Sequence, residues 1–412
     1  MQVGLRGSLA KNAGRFAAWA SQKSGRGSGG VIGGRVALAL DPKVLEKVSC
    51  GKKIVIVTGT NGKSTTTSMV REALKTKGRV ASNVLGDNMT DGVAAALIEE
   101  GEAEFATLEV DELYVPAVAR AVKPAGFVLL NLSRDQLDRV GEAGAVEARI
   151  RQAVDENPQA FVVANCDDPL IVSAAWDAKS PIWVSAGVTS TADSVTFPRT
   201  NTPVVRSGDS WHVPGSSFAR PEPAWTVEDG AVVFEGAAHP LALALPGRAN
   251  RGNAAQAVAA AHALGVNIDQ AIAQINKVTQ VSGRYARRNL DGRLTRIVLA
   301  KNPAGWQESL SMVEEDACII LAVNGRVGDG EDLSWLWDVD FAPIQGRNII
   351  VCGERRADLA VRLEYADFEF ELVETPQDGL KRAPEGNVDV VANYTAAHGL
   401  NNWIAREYEE AK

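Results

Sequence analysis

The chain has 412 residues, of which 45% are hydrophobic and 23% charged, a composition typical of a globular protein of two or three domains. Its formal net charge of −8 at pH 7 argues against a general nucleic-acid binder, which usually carries a basic excess. The four cysteines lack CxxC spacing. We therefore expect neither a zinc ribbon nor a disulfide framework, but reduced thiols in a cytoplasmic protein.

Residues 1–48 are predicted to form an N-terminal segment ahead of the first strand. An amphipathic helix over Gly7–Ser24 carries basic residues around a short apolar stretch, Phe16–Ala20. This stretch is too short for a signal peptide, and no apolar run approaches the roughly 20 residues of a membrane-spanning helix. The helix could contact a membrane surface or a partner, although packing on its own domain is the favoured interpretation. We expect a cytoplasmic protein, with peripheral attachment to the inner face of the membrane as an open alternative.

Residues 49–280 are predicted to form a central α/β domain. Short apolar runs predict strands at Lys53–Thr58, Phe105–Val110, Gly126–Leu132 and Ala160–Ala164. Helical stretches separate these runs, which favours a parallel sheet covered on both faces. Residues from about 188 to 245 are rich in Thr, Ser and Pro, so a β-rich insertion or meander is expected there. Residues 281–412 predict a second, smaller, Rossmann-like α/β domain.

The strongest functional motif is TGTNGKST at Thr58–Thr65, between the first predicted strand and a helix. Glycines let the backbone N–H groups of such a loop turn toward phosphates, and the helix N-terminus adds partial positive charge. Lys63 is expected to reach the terminal phosphates of a nucleotide, and the Ser64 hydroxyl suits Mg²⁺. The predicted nucleotide-binding residues of the loop are Gly59, Thr60, Asn61, Gly62, Lys63, Ser64 and Thr65.

A carboxylate lies at the end of the strand Phe105–Val110, in the sequence LEVDE. Carboxyl ends of neighbouring parallel strands meet at one edge of the sheet, where α/β proteins bind ligands. We therefore predict that Glu109 binds Mg²⁺ together with Ser64, and that Glu109 and Lys63 are catalytic.

Two further polar segments follow predicted strands. In Asn131–Arg139 (NLSRDQLDR), Asp135 could hold a metal-bound water or position substrate, and the segment could equally be a helix start capped by Ser133. In the sequence NCDDP, Asn165 and Asp168 are predicted to contact the nucleotide, and the intervening Cys166 is expected to be a passive thiol.

Two more candidate positions lie later in the chain. Asn250 and Asn253 lie at the start of an Ala-rich helix predicted over Gly252–Leu264, and either amide could recognise an adenine. Arg284 lies at the predicted start of the second domain. An arginine that enters a phosphate site from another domain can stabilise charge that develops in the transition state.

The spacing of these elements resembles that of the Mur ligase family of ATP-dependent carboxylate–amine ligases. TGTNGKST matches the shortened phosphate loop of that family. The resemblance implies ATP and Mg²⁺ as cofactors and assigns Glu109 to the Mg²⁺ site. It also assigns Asn250 and Asn253 to nucleotide binding, and Arg284 to the arginine that opens the C-terminal domain.

Several departures from the peptide-synthesising members point to one branch of the family. About fifty residues precede the phosphate loop, too few for a UDP-binding N-terminal domain. Gln136 replaces a family histidine, and Arg149–Arg151 lacks the lysine that many members carbamylate, which leaves a second metal open. Four segments look like the MurT-type subunits of lipid II isoglutaminyl synthases: Asp135–Arg139, Leu299–Trp306, Asp332–Asp338 and Asn393–Ala396.

This resemblance implies an enzyme that uses ATP to phosphorylate the α-carboxylate of D-isoglutamate in the lipid II stem peptide. Ammonia would then attack the acyl phosphate to give D-isoglutamine. Ammonia would come from a separate GatD-type glutamine amidotransferase in a heterodimer, because this chain has no cysteine in a Gly-x-Cys-x-Gly setting. An aspartate of this chain would complete the partner's Cys–His pair, with Asp332 as the first candidate and Asp338 as the second.

Some MurT-type relatives carry a four-cysteine zinc ribbon in the central domain. No cysteine lies between Cys166 and Cys318, so no zinc is expected here. The alternative function is that of another Mur-like ligase, of the folate or cyanophycin type, which adds an amino acid and needs no glutaminase.

Overall fold

The computed structural model describes residues 5–23, 30–83, 87–133, 143–187, 192–279 and 285–409. These residues separate into two compact units. The first contains residues up to 132, 143–244 and 248–279, and the second contains residues 133, 245–247 and 285–409. The predicted N-terminal segment and the predicted central domain share the first unit, while the boundaries proposed at residues 48 and 280 stay predictions.

The first unit is built around a sheet whose order, among the described residues, is β13-β12-β11-β6-β5-β4-β1-β3-β2. The strands of this unit are β1 (Lys53–Thr58), β2 (Val80–Ser82), β3 (Phe105–Glu109), β4 (Gly126–Leu129), β5 (Phe161–Asn165), β6 (Pro181–Val184), β7 (Thr196–Phe197), β8 (Thr202–Pro203), β9 (Val205–Ser207), β10 (Ser210–His212), β11 (Trp225–Glu228), β12 (Ala231–Phe234) and β13 (Ala237–Pro240). Strands β1 to β6 pair in parallel. Their β-branched and apolar residues are buried because helices cover both faces.

The described part of the predicted β-rich insertion does not stand apart from this sheet. Strand β11 continues the parallel sheet through the pair Trp225 and Val184, and β11 to β13 form an antiparallel meander at its edge. Strands β12 and β13 are joined by a two-residue turn, Glu235-Gly236, in which both residues have positive φ (49° and 77°). The short ribbons β7–β8 and β9–β10 pack around buried Phe197 and Trp211.

The helices of the first unit are α1 (Leu5–Lys23), α2 (Gly30–Leu40), α3 (Val44–Ser49), α4 (Lys63–Leu74), α5 (Thr90–Glu99), α6 (Val115–Val122), α7 (Ala143–Asp155), α8 (Pro169–Ala175), α9 (Arg248–Ala263) and α10 (Ile268–Ile275). Helix α4 begins directly after the left-handed Gly62, and Ala-rich α9 is buried along most of its length. No helix in the described part of the chain is both long enough and apolar enough to cross a membrane.

The second unit is a smaller sheet flanked by helices, with the order β14-β15-β19-β16-β17-β18. Its elements are β14 (Tyr285–Leu290), β15 (Arg293–Leu299), α11 (Pro303–Ser311), β16 (Cys318–Ala322), β17 (Ile349–Cys352), α12 (Arg356–Glu364), β18 (Glu371–Leu372), α13 (Pro376–Arg382), β19 (Gly386–Ala392) and α14 (Tyr394–Ile404). Strands β14 and β15 form an antiparallel hairpin, and the other neighbours pair in parallel. Two apolar clusters form the core of this second unit. One of them is centred on Trp306, Trp335 and Phe341.

The predicted α/β class, with a parallel central sheet and a second α/β domain, is confirmed. The predicted start of one helix was too late, because α9 begins at Arg248 rather than Gly252. The apolar pattern marks only the buried turns of a helix, so it misses a polar first turn.

Candidate active site

The phosphate loop lies between β1 and α4, at the carboxyl edge of the first sheet. Gly59 and Gly62 have φ values of +135° and +86°, a region that L side chains rarely adopt. A Cβ on Gly59 would lie 2.9 Å from the Asn131 carbonyl oxygen, and one on Gly62 would lie 2.9 Å from the Asn253 amide. Only glycine therefore fits at these two positions, which matches the backbone cradle that phosphate groups require.

Lys63, the first residue of α4, is buried with its ammonium group against the loop. Its Nζ donates to the carbonyl oxygens of Gly59 (2.6 Å) and Thr60 (3.3 Å) and to the Glu112 carboxylate (3.1 and 3.3 Å). Lys63 and Glu112 are 2% and 8% exposed, so this is a buried ion pair. The ammonium group of Lys63 is therefore fixed at the point where the terminal phosphates of a nucleotide would bind.

Ser64 and Glu109 meet as predicted from their positions after β1 and at the end of β3. The Ser64 hydroxyl donates to Glu109 Oε2 at 2.6 Å, and both side chains are buried. The register of β1 against β3, which pairs Val57 with Glu109, brings them together. Oxygen atoms of this type are the ligands that Mg²⁺ prefers, with nucleotide phosphates and water completing the shell.

Two asparagines hold Glu109 in place. Asn83 donates from Nδ2 to the Glu109 carbonyl oxygen (2.7 Å) and accepts from its backbone N–H (2.8 Å). Asn88 Nδ2 donates to Glu109 Oε1 at 3.3 Å. Both asparagines follow β2, the strand next to β3, so the strand order explains why they reach the carboxylate.

Asn131, two residues after β4, clamps the phosphate loop. Its carbonyl oxygen accepts from Thr60 N–H (2.8 Å), and its side chain exchanges two 3.0 Å hydrogen bonds with the backbone of Asn61. Because β4 is the other neighbour of β1, the loop is fixed from that side as well. Thr60 and Asn61 therefore act through backbone groups that the clamp orders.

A cavity of about 880 Å³ opens beside the first turns of α9, a size that suits a nucleoside. Gly252 lines it, and the next residue, Asn253, contacts Gly62 of the phosphate loop. Arg248 and Arg251 line the same side. Recognition of adenine by Asn250 and Asn253 stays a prediction.

Asn165 and Asp168 mainly order the backbone around this cavity. Asn165 donates to the carbonyl oxygen of Gly187 (2.8 Å), a lining residue, and Asp168 caps α8 and accepts from Leu132 N–H (2.8 Å). Burial raises the pKa of Asp168 to about 6, although three backbone N–H donors oppose the shift. Direct contact of either residue with the nucleotide stays a prediction.

Cys166 is fully buried and lies beside Asp167, and burial raises the pKa of its thiol. A protonated, inaccessible thiol is a poor nucleophile, in line with the passive role expected for it.

Asp332 and Asp338 lie in the second unit, around a short 3₁₀ helix, Ser334–Asp338. Both are exposed. The Asp332 carboxylate accepts from Ser334 N–H at 2.8 Å. This hydrogen bonding, with a smaller effect from Arg355, lowers the pKa of Asp332 below its usual value.

Other predicted positions lie outside the described residues. Arg284, Asp135 and Gln136 are among them, so their roles stay predictions. On α7, Arg151 pairs with the buried Glu147 (3.0 Å). In the described part of the chain no three His, Cys, Asp or Glu side chains cluster as metal ligands.

Sequence reasoning missed Glu112, Asn83, Asn88 and Asn131 as site residues. Each is a polar residue shortly after a parallel strand of the first sheet, and that placement could have indicated them. Together with the loop, they form a polar site at the carboxyl edge of a parallel sheet, where α/β enzymes bind their ligands.

Comparisons with known proteins identify which enzymes of this class the chain resembles. The model of the Mur ligase middle domain matches residues 57–261, and that of the MurT ligase C-terminal domain matches residues 299–397. The MurT subunit of a lipid II isoglutaminyl synthase (glutamine-hydrolyzing) from Streptococcus pneumoniae is 28% identical over 90% of this chain and 89% of its own length. The corresponding Staphylococcus aureus subunit is 26% identical, over 91% and 93%.

Solved structures share the fold. A pseudomurein peptide ligase type C from Methanothermus fervidus has a TM-score of 0.68 at 17% identity, over 89% of this chain and 81% of its own. MurF from Thermotoga maritima, solved with ADP, has a TM-score of 0.60 at 14% identity, over 91% and 85%. The chain belongs to the Mur ligase family, and within it to the branch of MurT-type subunits. It is therefore a ligase.

Proposed function

We propose that this chain is the ATP-dependent ligase subunit of a lipid II isoglutaminyl synthase. The observation that carries the proposal is the similarity to MurT subunits along nine-tenths of the chain. Lys63, Ser64 and Glu109 have the geometry of a working phosphate site, which supports catalysis over a purely structural role.

The reaction would amidate the α-carboxylate of D-isoglutamate in the lipid II stem peptide. A carboxylate is a poor electrophile because its negative charge repels nucleophiles, so it must first be activated. Transfer of the γ-phosphoryl group of ATP to a carboxylate oxygen gives an acyl phosphate and ADP. Attack of ammonia on the acyl carbon then forms the amide and releases phosphate.

The residues in and around the phosphate loop would have different roles in phosphoryl transfer. The glycines expose backbone N–H groups to the phosphates, and Lys63 places its ammonium group where charge must be neutralised. Ser64 and Glu109 would hold Mg²⁺, which would neutralise charge on the transferring phosphoryl group. Asn83 and Asn131 keep the carboxylate and the loop in position.

Ammonia would come from glutamine, hydrolysed by a GatD-type amidotransferase subunit. The relatives are named as subunits of a glutamine-hydrolyzing enzyme, which supports a partner complex. An aspartate that completes a Cys–His pair in another subunit must be exposed and ionised. Asp332 and Asp338 are both exposed, so Asp332 stays the first candidate and Asp338 the second.

The surface next to Asp338 suits a protein partner. Trp337 is 54% exposed and packs edge-on against Tyr365, which is 77% exposed, with ring centroids 5.4 Å apart. The Arg362 guanidinium lies 5.5 Å from the centroid of Trp337. Tryptophan, tyrosine and arginine are enriched among residues that dominate binding energy, so we place the amidotransferase on this surface.

The proposed location is the cytoplasm, with peripheral association at the inner face of the membrane. ATP is available on that side, and the proposed substrate is lipid-linked. No role in nucleic-acid binding is proposed, given the acidic balance of the chain.

The proposal can be tested by measuring ADP release from lipid II and ATP, with glutamine or ammonium, in the presence or absence of the amidotransferase subunit. We expect turnover with ammonium from this chain alone and turnover with glutamine only with the partner. Mass analysis should show replacement of a hydroxyl by an amino group. Lys63→Ala should abolish turnover with both nitrogen donors.

Two results would overturn the proposal. Undiminished turnover by Lys63→Ala would remove the phosphate loop from the mechanism. Turnover with a free amino acid and a carboxylate acceptor, but none with lipid II and ammonium, would replace amidation by an amino-acid ligase of the folate or cyanophycin type.

A further inference from the structure

Helix α1 has one face made of small residues that pack on the first unit. Gly14 lies so close to Gly33 of α2 that a Cβ on either would lie within 2.8 Å of the other's carbonyl oxygen. Ala10 is also fully buried. Arg15 anchors the helix by donating to the carbonyl oxygens of Ile98 and Glu99 at the end of α5 (3.2 and 3.1 Å). The orientation of α1 on its own unit is therefore fixed.

The opposite face of α1 is an apolar stripe. Leu9, Phe16 and Trp19 are 66%, 68% and 53% exposed, and their spacing places them on one side of a helix. The rings of Phe16 and Trp19 are in contact, with centroids 5.7 Å apart. Large apolar side chains grouped on an otherwise well-packed helix indicate a surface that is covered in use.

Basic residues border this stripe. Lys23 places Nζ 5.1 Å from the centroid of the Trp19 ring. At the other end, exposed Arg6 donates to the Leu40 carbonyl oxygen at 3.0 Å. The first forty residues contain six Lys and Arg and no Asp or Glu, although the whole chain has a net charge of −8. The basic charge is therefore concentrated on the segment that carries the stripe.

We propose that the exposed face of α1 binds the surface of an anionic phospholipid membrane. Phe16, Trp19 and Leu9 would enter the boundary between headgroups and acyl chains, where tryptophan is favoured. Lys23 and Arg6 would meet the anionic headgroups. The role of this contact, to bring the ligase to a lipid-linked substrate, rests on the proposed function, whereas the contact itself does not.

Charge favours a membrane over a protein as the occupant. An anionic surface attracts the basic α1 segment and repels the acidic remainder of the chain. The attraction therefore orients the molecule with this helix toward the bilayer. A helix that lies in an interface combines an apolar face with flanking Lys and Arg, as α1 does.

The test is co-sedimentation of the full chain with vesicles of phosphatidylcholine alone or mixed with phosphatidylglycerol, without lipid II. We expect binding to the mixed vesicles that weakens with added salt. Phe16→Ser combined with Trp19→Ser should lower the partition coefficient roughly tenfold or more, because the apolar contacts are lost. Arg6→Glu combined with Lys23→Glu should abolish the preference for anionic vesicles.

Val195→Ser is the matched control, because Val195 is 61% exposed in the same unit, and it should bind like the unmodified chain. Equal or no binding to the two vesicle types, or full binding by the Phe16/Trp19 variant, would refute the proposal. Absence of vesicle binding, together with a weaker amidotransferase complex in that variant, would assign the stripe to a protein partner. Turnover of detergent-dispersed lipid II with ammonium tests the proposed function separately and should be unchanged in the variant.

Discussion

The buried pair of Lys63 and Glu112 brings two opposite charges into the phosphate loop before any phosphate is present. Such a pair is held by its geometry, and loss of one partner leaves the other as a buried, uncompensated charge. Lys63 also donates to two loop carbonyl oxygens, so Glu112 provides part of its compensation. Nucleotide phosphates would offer Lys63 an alternative partner.

Glu112→Gln should therefore lower the free energy of unfolding of the nucleotide-free protein by about 1–3 kcal/mol. Mg²⁺ and ATP should stabilise the variant more than the unmodified chain, because phosphate oxygens replace the lost carboxylate. Urea unfolding with and without nucleotide measures both effects. A deficit that saturating nucleotide leaves unchanged would argue against this role for Glu112.

At the residue scale, the sequence predicted the central contact of the site. Ser64 and Glu109 were expected to meet from their positions at adjacent strand ends, and they do. The supporting contacts of Asn83 and Asn131 could not be predicted with the same ease. They depend on the order of β2, β3, β1 and β4 across the sheet, which alternation of strands and helices alone does not specify.

Among the elements, α8 shows how one capping residue links two parts of the sheet edge. Asp168 accepts from N–H groups of Leu170 and Ile171 at the start of α8 and from Leu132 beyond β4. The prediction of Asp168 as a nucleotide contact came from a polar turn at a strand end. A sequence pattern cannot distinguish a turn that faces a ligand from one that caps a helix, because both favour the same residue types.

The raised pKa of Asp168 gives a prediction for stability against pH. Its folded-state pKa is about 6 and its ordinary value is near 4, so the folded protein binds the proton more tightly than the unfolded chain. This contribution stabilises the fold at low pH and is lost as pH rises from about 4 to above 6, with a total change of about 3 kcal/mol.

Asp168→Asn should lack this pH-dependent loss. The substitution should also lower the free energy of unfolding by an amount that does not depend on pH, because an amide NH₂ group cannot accept from Leu132 N–H. The difference in free energy of unfolding between the two proteins, measured in urea across this pH range, should shift in favour of the variant as pH rises. Parallel curves would show that the pKa of Asp168 is not raised.

On the scale of the whole molecule, the chain forms two units, each with its own core. The α/β class of both followed from the alternation of elements along the sequence. The inclusion of β11 to β13 in the main sheet did not, because it depends on a single paired position between Trp225 and Val184. Strands of only four residues carry too weak a pattern to indicate which sheet they join.

The second unit contains a buried ion pair between neighbouring strands. Arg296 on β15 donates to both carboxylate oxygens of Asp389 on β19, at 2.5 and 2.6 Å. Arg296 also pairs with Glu314 at 3.1 Å. Asp389→Ala should therefore destabilise this unit by about 3 kcal/mol, at the lower end for a broken buried pair, because Arg296 would stay buried with only part of its compensation.

Thiol labelling can show which unit opens. Cys318 and Cys352 are buried in the second unit, where burial raises their pKa values to about 11 and about 12, and Cys166 is buried in the first. In Asp389→Ala, labelling of Cys318 and Cys352 should accelerate about a hundredfold, while that of Cys166 should not change. Equal acceleration at all three would mean that the two units open together.

The tight turn at Glu235-Gly236 is a suitable site for inserting a peptide through which the protein can be immobilised or labelled. It joins β13, at the edge of the first sheet, to β12, and a Cβ on Gly236 would meet no atom within 4 Å. The cavity-lining residues Glu228–Gly230 lie at the other end of β12, roughly 13 Å away along an extended strand. Because each doubling of loop length costs only about 0.6 kcal/mol, a short peptide inserted there should permit immobilisation or fluorescent labelling while the cavity stays intact.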